Sequence, residues 1–119
     1  MPLTRILLYV RDVEKTERYY TTLFGFTAMQ AEGDRIVELV DPQGGANLML
    51  HPAAKGQRMG QSAVKLVFSV EDVASFCAKS AALGFPFGPI HQTGFYSFSN
   101  AKDPDGNSVS VSSRGMAGG

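Results

Sequence analysis

The chain has a single cysteine, Cys77, so no intrachain disulfide can form. A lone thiol suits a reducing compartment. An excess of charge of one sign is also missing, because 11 basic residues balance 11 acidic ones. No run of like charge occurs, which argues against a nucleic-acid partner and against an anionic membrane surface. No apolar stretch reaches the roughly 20 residues that a membrane-spanning helix needs. The start, Met1-Pro2-Leu3-Thr4-Arg5, runs directly into a strand-like segment and lacks the order of a signal peptide. These absences make a soluble cytoplasmic protein the expectation. The 119 residues suffice for about one domain with a modest core.

What is present is a phrase written twice. Val10-Arg11-Asp12-Val13 returns as Val70-Glu71-Asp72-Val73. An alternating run precedes each copy, and a helix-like run follows it, closed by Gly25-Phe26 and by Gly84-Phe85. Each unit ends on a turn and a last strand. Asp41-Pro42-Gln43-Gly44-Gly45 precedes Asn47 to His51, and Asp103-Pro104-Asp105-Gly106 precedes Ser108 to Ser112. One supersecondary unit is therefore used twice, and repetition fixes architecture before any single residue does.

Alternation predicts strands over 3–10, 26–30, 35–40 and 47–51 in the first unit, with Ile6, Leu8 and Val10 on one face of the first. In the second unit it predicts strands over 64–70, 85–90 (weak, interrupted by proline), 94–100 and 108–112. Asp12 and Asp72 are the expected helix caps, for helices over 13–23 and 73–83. Thr16, Tyr19, Tyr20 and Leu23 point inward on the first helix, and Val73, Phe76, Cys77, Ser80 and Ala81 on the second. The expected organisation is one domain over 1–119: unit one 3–51, linker 52–62, unit two 63–113 and a frayed tail 114–119. Each unit reads β-α-β-β-β, an α+β architecture in which one helix covers only one face of its sheet.

This arrangement resembles the vicinal oxygen chelate superfamily of glyoxalases, bleomycin-resistance proteins and extradiol dioxygenases. The residues that carry the resemblance are Tyr9 to Val13, the pair Tyr19-Tyr20 before Leu23-Phe24-Gly25-Phe26, and Asp103 to Asn107 leading into Val109 and Val111. It implies a cupped mixed sheet around a cavity between the two units, helices on the outer face, and a homodimer. It also implies metal ligands, His or Glu, midway along the first and last strands of each unit. The residues standing at those positions are Arg5, Met49, Lys65 and Ser110. Arginine has no lone pair to give, lysine must first lose its proton, and a thioether is a poor ligand for hard cations. No metal and no cofactor are expected, and a metal-dependent lyase or dioxygenase activity is disfavoured.

By alternation the cupped face carries Arg5, Leu7 and Tyr9, then Asn47, Met49 and His51, then Lys65, Val67 and Ser69, then Ser108, Ser110 and Ser112. Burying two cations without compensation is costly. Either the two side chains snorkel to the rim, or something anionic meets them, an anionic ligand or an internal partner such as Glu38. The expected ligand-binding residues are Arg5 and Lys65 for charge, Tyr9 and Met49 for apolar contact, Ser110 for hydrogen bonding, and His51 at the rim. No catalytic residue is assigned. His51 reads first as a solvated strand-end residue and second as a general base. His91 reads as a loop residue and Cys77 as a packing group. The functional expectation is metal-free binding of a small organic molecule, an anionic one if a ligand rather than an internal partner meets the two cations. The alternative is a lyase or dioxygenase-type enzyme with a degenerate metal site or metal-free acid–base chemistry.

Overall fold

Helix starts and stops are set by the repeated phrase. In the computed structural model, which describes residues 1–116, Asp12 is extended and its carboxylate accepts from the Lys15 amide at 3.1 Å. Asp72 does the same for the Ser75 amide at 2.9 Å. Each cap satisfies an amide that the first turn cannot. The helices that follow are α1 (Val13–Phe24) and α2 (Val73–Ala82). α1 ends on Gly25 in the left-handed region at φ 73°, where a side chain would cost about 1 kcal/mol. α2 ends one residue earlier than its pattern predicts, with Leu83 as cap. Gly84 N donates to Ala81 O at 3.0 Å and Phe85 N to Ser80 O at 2.9 Å, a pair of bonds that closes the last turn. The buried Ser80 hydroxyl donates to the Phe85 carbonyl as well.

The chain divides into two compact units, Met1–Gln61 and Ser62 onward. In the first, the strands are β1 (Arg5–Val10), β2 (Thr27–Met29), β3 (Val37–Val40) and β4 (Asn47–Pro52). They form a sheet in the order β1-β4-β3-β2, parallel between β1 and β4 and antiparallel elsewhere. α1 packs on β2, β3 and β4. Its Thr16, Tyr19, Tyr20 and Leu23 are buried, together with Val10, Val37, Leu39, Leu48 and Leu50 of the sheet. The hairpin strands are shorter than alternation predicts. Asp34 holds the intervening turn instead, with its carboxylate on Ile36 N at 2.9 Å.

The second unit repeats this plan. Its strands are β5 (Lys65–Ser69), β6 (His91–Gln92), β7 (Ser97–Lys102) and β8 (Ser108–Ser112), in the order β5-β8-β7-β6. Leu66, Val109 and Val111 form the buried side of the sheet, with Val73 of α2 also buried. Ala81 is exposed, not inward. The segment 85–90 is not a strand. Pro86 and Pro89 have no amide to give a ladder, and beyond Phe85 the segment is tied in at Gly88. Gly88 N donates to Asn100 O and Ser99 Oγ to Gly88 O, each at 2.8 Å. The strand falls on His91–Gln92 instead, so His91 leaves its expected loop. β7 also shifts, because Thr93 folds the residues before it into a turn. The Thr93 hydroxyl accepts from the amides of Phe95 and Tyr96 at 3.1 Å. β7 consequently runs on to Lys102, two residues further than predicted.

Among the described residues the sheets number two, one in each unit, and both are mixed. The predicted α+β plan of two β-α-β-β-β units is the fold observed. The expected frayed tail begins on an anchored residue. Arg114 lies 5.2 Å over the Tyr96 ring, and its Nη1 donates to the Tyr96 hydroxyl at 3.3 Å. The end of that tail, 117–119, lies outside the described residues.

Candidate functional site

Side chains on paired residues of neighbouring strands point to one face of a sheet, so register identifies which residues share the face that no helix covers. In the first unit the β1–β4 partners are Arg5 with Asn47, Leu7 with Met49, and Tyr9 with His51. Glu38 of β3 pairs with Met49, and Met29 of β2 with Glu38. Four of the six predicted site residues, Arg5, Tyr9, Met49 and His51, therefore stand on one surface.

The charge on that surface is balanced internally. Arg5 Nε donates to Glu38 Oε2 at 3.0 Å, and Asn47 Nδ2 donates to the same oxygen at 2.9 Å. The guanidinium is about half exposed and the carboxylate about a quarter. A pair so exposed contributes roughly 0–1 kcal/mol to stability. Its larger effect is to place a fixed negative charge against Arg5. Of the expectations for this cation, the internal partner is the one observed.

Beyond the ion pair the surface is apolar and aromatic. Tyr9 and His51 lie with ring centroids 5.4 Å apart and planes tilted by 59°. His51 Nδ1 is 2.7 Å from the carbonyl oxygen of Pro52. Leu7, Tyr9 and Met29 are exposed, while Met49 and His51 are half-buried.

The second unit presents the corresponding face with different electrostatics. Ser108 of β8 pairs with Lys65 on one side and with Lys102 on the other. Ser110 pairs likewise with Val67 and Asn100, and Ser112 with Ser69 and Phe98. Two lysines thus flank one serine, about 10 Å apart across two strand spacings. Lys65 Nζ donates to Asn100 Oδ1 at 3.0 Å, and Lys102 Nζ to Ser108 Oγ at 2.7 Å. Both acceptors are neutral, and among the described residues neither ammonium forms an ion pair. The nearby turn carboxylate of Asp103 is buried and engaged by the amides of Asp105 and Asn107, each at 2.9 Å.

Ser110, the sixth predicted residue, is only 3% exposed, and its hydroxyl donates to Ser99 O at 3.1 Å. What it can still offer a ligand is an acceptor lone pair. Lys102 and Asn100 were not among the predicted site residues. The signal for Asn100 lay in the repeat. Asn100 stands three residues before Asp103-Pro104, as Glu38 stands three before Asp41-Pro42. Arg5 to Glu38 and Lys65 to Asn100 are thus the same relationship in the two units, with an amide replacing the carboxylate in the second.

A separate groove of about 560 Å³ lies on the helix side of the first unit, lined by Glu14, Glu17, Arg18 and Thr21 of α1 with Gln30 and Arg35 of the hairpin. None of the six predicted residues lines it.

With both faces described, sequence comparison decides the family. The pattern of the Glyoxalase/Bleomycin resistance protein/Dioxygenase superfamily matches residues 3–111. The chain belongs to that superfamily. Comparison with curated proteins gave no match. Solved structures share the fold. One is the genomically encoded fosfomycin resistance protein FosX from Listeria monocytogenes, at TM-score 0.79 and 16% identity, covering 99% of this chain and 97% of that one. Another is TnmS3, an antibiotic binding protein from Streptomyces sp. CB03234, at TM-score 0.76 and 20% identity, covering 93% of each chain. A third is a lactoylglutathione lyase from Agrobacterium tumefaciens, at TM-score 0.70 and 20% identity, covering 93% and 92%.

Arg5, Met49, Lys65 and Ser110, the residues expected at the metal-ligand positions, do not fit a hard divalent ion. Arg5 is held by Glu38, Lys65 is an ammonium on Asn100, and the Ser110 proton is given to a carbonyl. Among the described residues no three His, Cys, Asp or Glu side chains gather into a candidate metal site. Also among the described residues, no helix is long and apolar enough to cross a membrane.

Proposed function

We propose that this superfamily member captures a small organic molecule bearing an anionic group, and does so without a metal ion. The observation that carries the reading is the substitution of a carboxylate by an amide between the two units. Glu38 neutralises Arg5, whereas Asn100 leaves the charge of Lys65 in place, and Lys102 adds a second ammonium beside Ser108. A carboxylate arriving there gains charge-assisted hydrogen bonds that none of the described residues supplies. Lys65 and Lys102 hold the charge, and Ser108 and Asn100 orient it. The apolar groups on the same face of the second unit are Val67 and Phe98, which pair with Ser110 and Ser112. A few directed polar groups beside apolar ones are the usual character of a ligand site. The antibiotic-binding relative supports a capturing role by analogy of fold.

The reading includes a homodimer and a cytoplasmic setting. Exposed Met29, Val67 and Phe95 support the first, and the lone free thiol of Cys77 the second.

The test uses chelator-treated protein and two probes of one shape, benzoate and benzamide. Benzoate is expected to bind more tightly than benzamide, with an affinity that falls as salt rises. Equal affinities, or binding of benzoate only after a divalent metal is restored, would overturn the reading. The second reading, a metal-free acid–base enzyme, has one observation in its favour, the ring of His51 presented beside Tyr9. Product formation in a turnover screen that is lost on His51→Gln would establish it.

A further inference from the structure

His51 carries information that the charge pattern does not. Its Nδ1 lies 2.7 Å from Pro52 O, and a carbonyl oxygen can only accept. A neutral imidazole must then bear its proton on Nδ1, because the other tautomer would set two lone pairs against each other. The tautomer follows from that one contact. Nε2 is left as an sp² acceptor, and among the described residues no group donates to it. The ring is half-buried, on the helix-free face, with Tyr9 beside it at 5.4 Å and Leu7 and Met49 as the next register pair along the same two strands.

We infer that His51 Nε2 is a fixed hydrogen-bond acceptor in the first unit, and that it selects planar ligands that present an O–H or N–H group while their ring rests against Tyr9. The inference rests on the reading that this protein binds small organic molecules, and it adds a donor requirement to it. The arrangement is directional. Nδ1 anchors the imidazole to the backbone at the end of β4, so the lone pair of Nε2 keeps one direction without a second partner to orient it. The parallel register sets Tyr9 directly opposite, and an aromatic face beside an oriented acceptor suits a phenol or a lactam better than an aliphatic chain. The Arg5–Glu38 pair on the same face leaves no net charge there to attract an anion. Recognition in this unit is therefore a matter of shape and of one donated hydrogen.

Two measurements on the full chain test this. Long-range proton–nitrogen correlation spectra of the imidazoles report the tautomer directly. His51 is expected to show a protonated Nδ1 and an acceptor Nε2, and a proton on Nε2 would overturn the inference. The second measurement compares 2-naphthol with 2-methoxynaphthalene, which has the same ring system but no donor. Naphthol is expected to bind about fivefold more tightly or better, the effect of one net hydrogen bond, and to shift the resonances of Tyr9 and His51. His51→Phe should bring naphthol down to the affinity of the ether, and His51→Gln, which keeps an acceptor, should restore part of the preference. A purely structural His51 would change thermal stability in these variants and leave the ratio of the two probes unmoved. Equal binding of the two probes would overturn the donor requirement while leaving small-molecule capture standing. No binding of either, in a protein that also ignores benzoate, would overturn both.

Discussion

Glu38 stands against Arg5, with the carboxylate oxygen 3.0 Å from the guanidinium Nε, and on the corresponding face of the second unit Asn100 stands against Lys65 at the same distance. The geometry is repeated and the charge is not. In the proposed function, that difference is what sets where an anion is drawn.

Removing the carboxylate should move the preference. Glu38→Gln keeps the shape and a hydrogen-bond acceptor while freeing the charge of Arg5. The expected result is new anion binding in the first unit, seen as benzoate-induced shifts at Arg5 and Asn47. Stability should fall by less than about 1 kcal/mol in urea unfolding, because the pair is exposed.

The converse change is Asn100→Glu, which supplies the second unit with the partner that the first already has. Two opposite unit charges about 4 Å apart in water interact by roughly 1 kcal/mol. Benzoate affinity is therefore expected to drop about fivefold, and the loss should shrink as salt screens the surface. An unchanged titration curve would count against the assignment of Lys65.

The repeated caps make a structural prediction. Asp12→Ala and Asp72→Ala each remove the acceptor for one first-turn amide, bonded at 3.1 and 2.9 Å respectively. Each should cost about 1 kcal/mol in a denaturant titration. Asp12→Asn and Asp72→Asn should recover most of that, because asparagine also accepts.

A larger loss is expected in the core. Leu50 is fully buried on β4, between β1 and β3 in the sheet beneath α1. Leu50→Ala should lower stability by roughly 2–5 kcal/mol, with the higher figure if the site cannot collapse. Leu7→Ala, one residue before Leu8 on the exposed face of β1, should cost far less.

The fold was legible because the phrase Val-x-Asp-Val, the closing glycines and the Asp-Pro turns each act locally, through caps and turn geometry. Thr16, Tyr19, Tyr20 and Leu23 are buried as helical spacing predicts. The stretch from Phe85 to Tyr96 was misread because two prolines and the Thr93 turn override a weak alternation. Hydrogen bonds to Gly88 and from Phe95 and Tyr96 hold that stretch, and these partners lie outside any periodic pattern. Of the site, the shared faces followed from period two alone. The pairing of Arg5 with Glu38 is only one alternative in the sequence, because it depends on strand register, which a single strand does not reveal. Lys102 was missed for the same reason: its place opposite Ser108 exists only once β7 is known to continue past Asn100.

One experiment bears most directly on the central claim, that the uncompensated ammonium groups of the second unit receive the anion. Benzoate is titrated into nitrogen-15-labelled protein, and the shifted amides are mapped in the wild type, in Arg5→Gln and in Lys65→Gln/Lys102→Gln. The predicted result is saturable shifts around Lys65, Asn100, Lys102 and Ser108 that survive in Arg5→Gln and vanish in the double lysine variant. Shifts centred on Arg5, or shifts that persist when both lysines are gone, would contradict it.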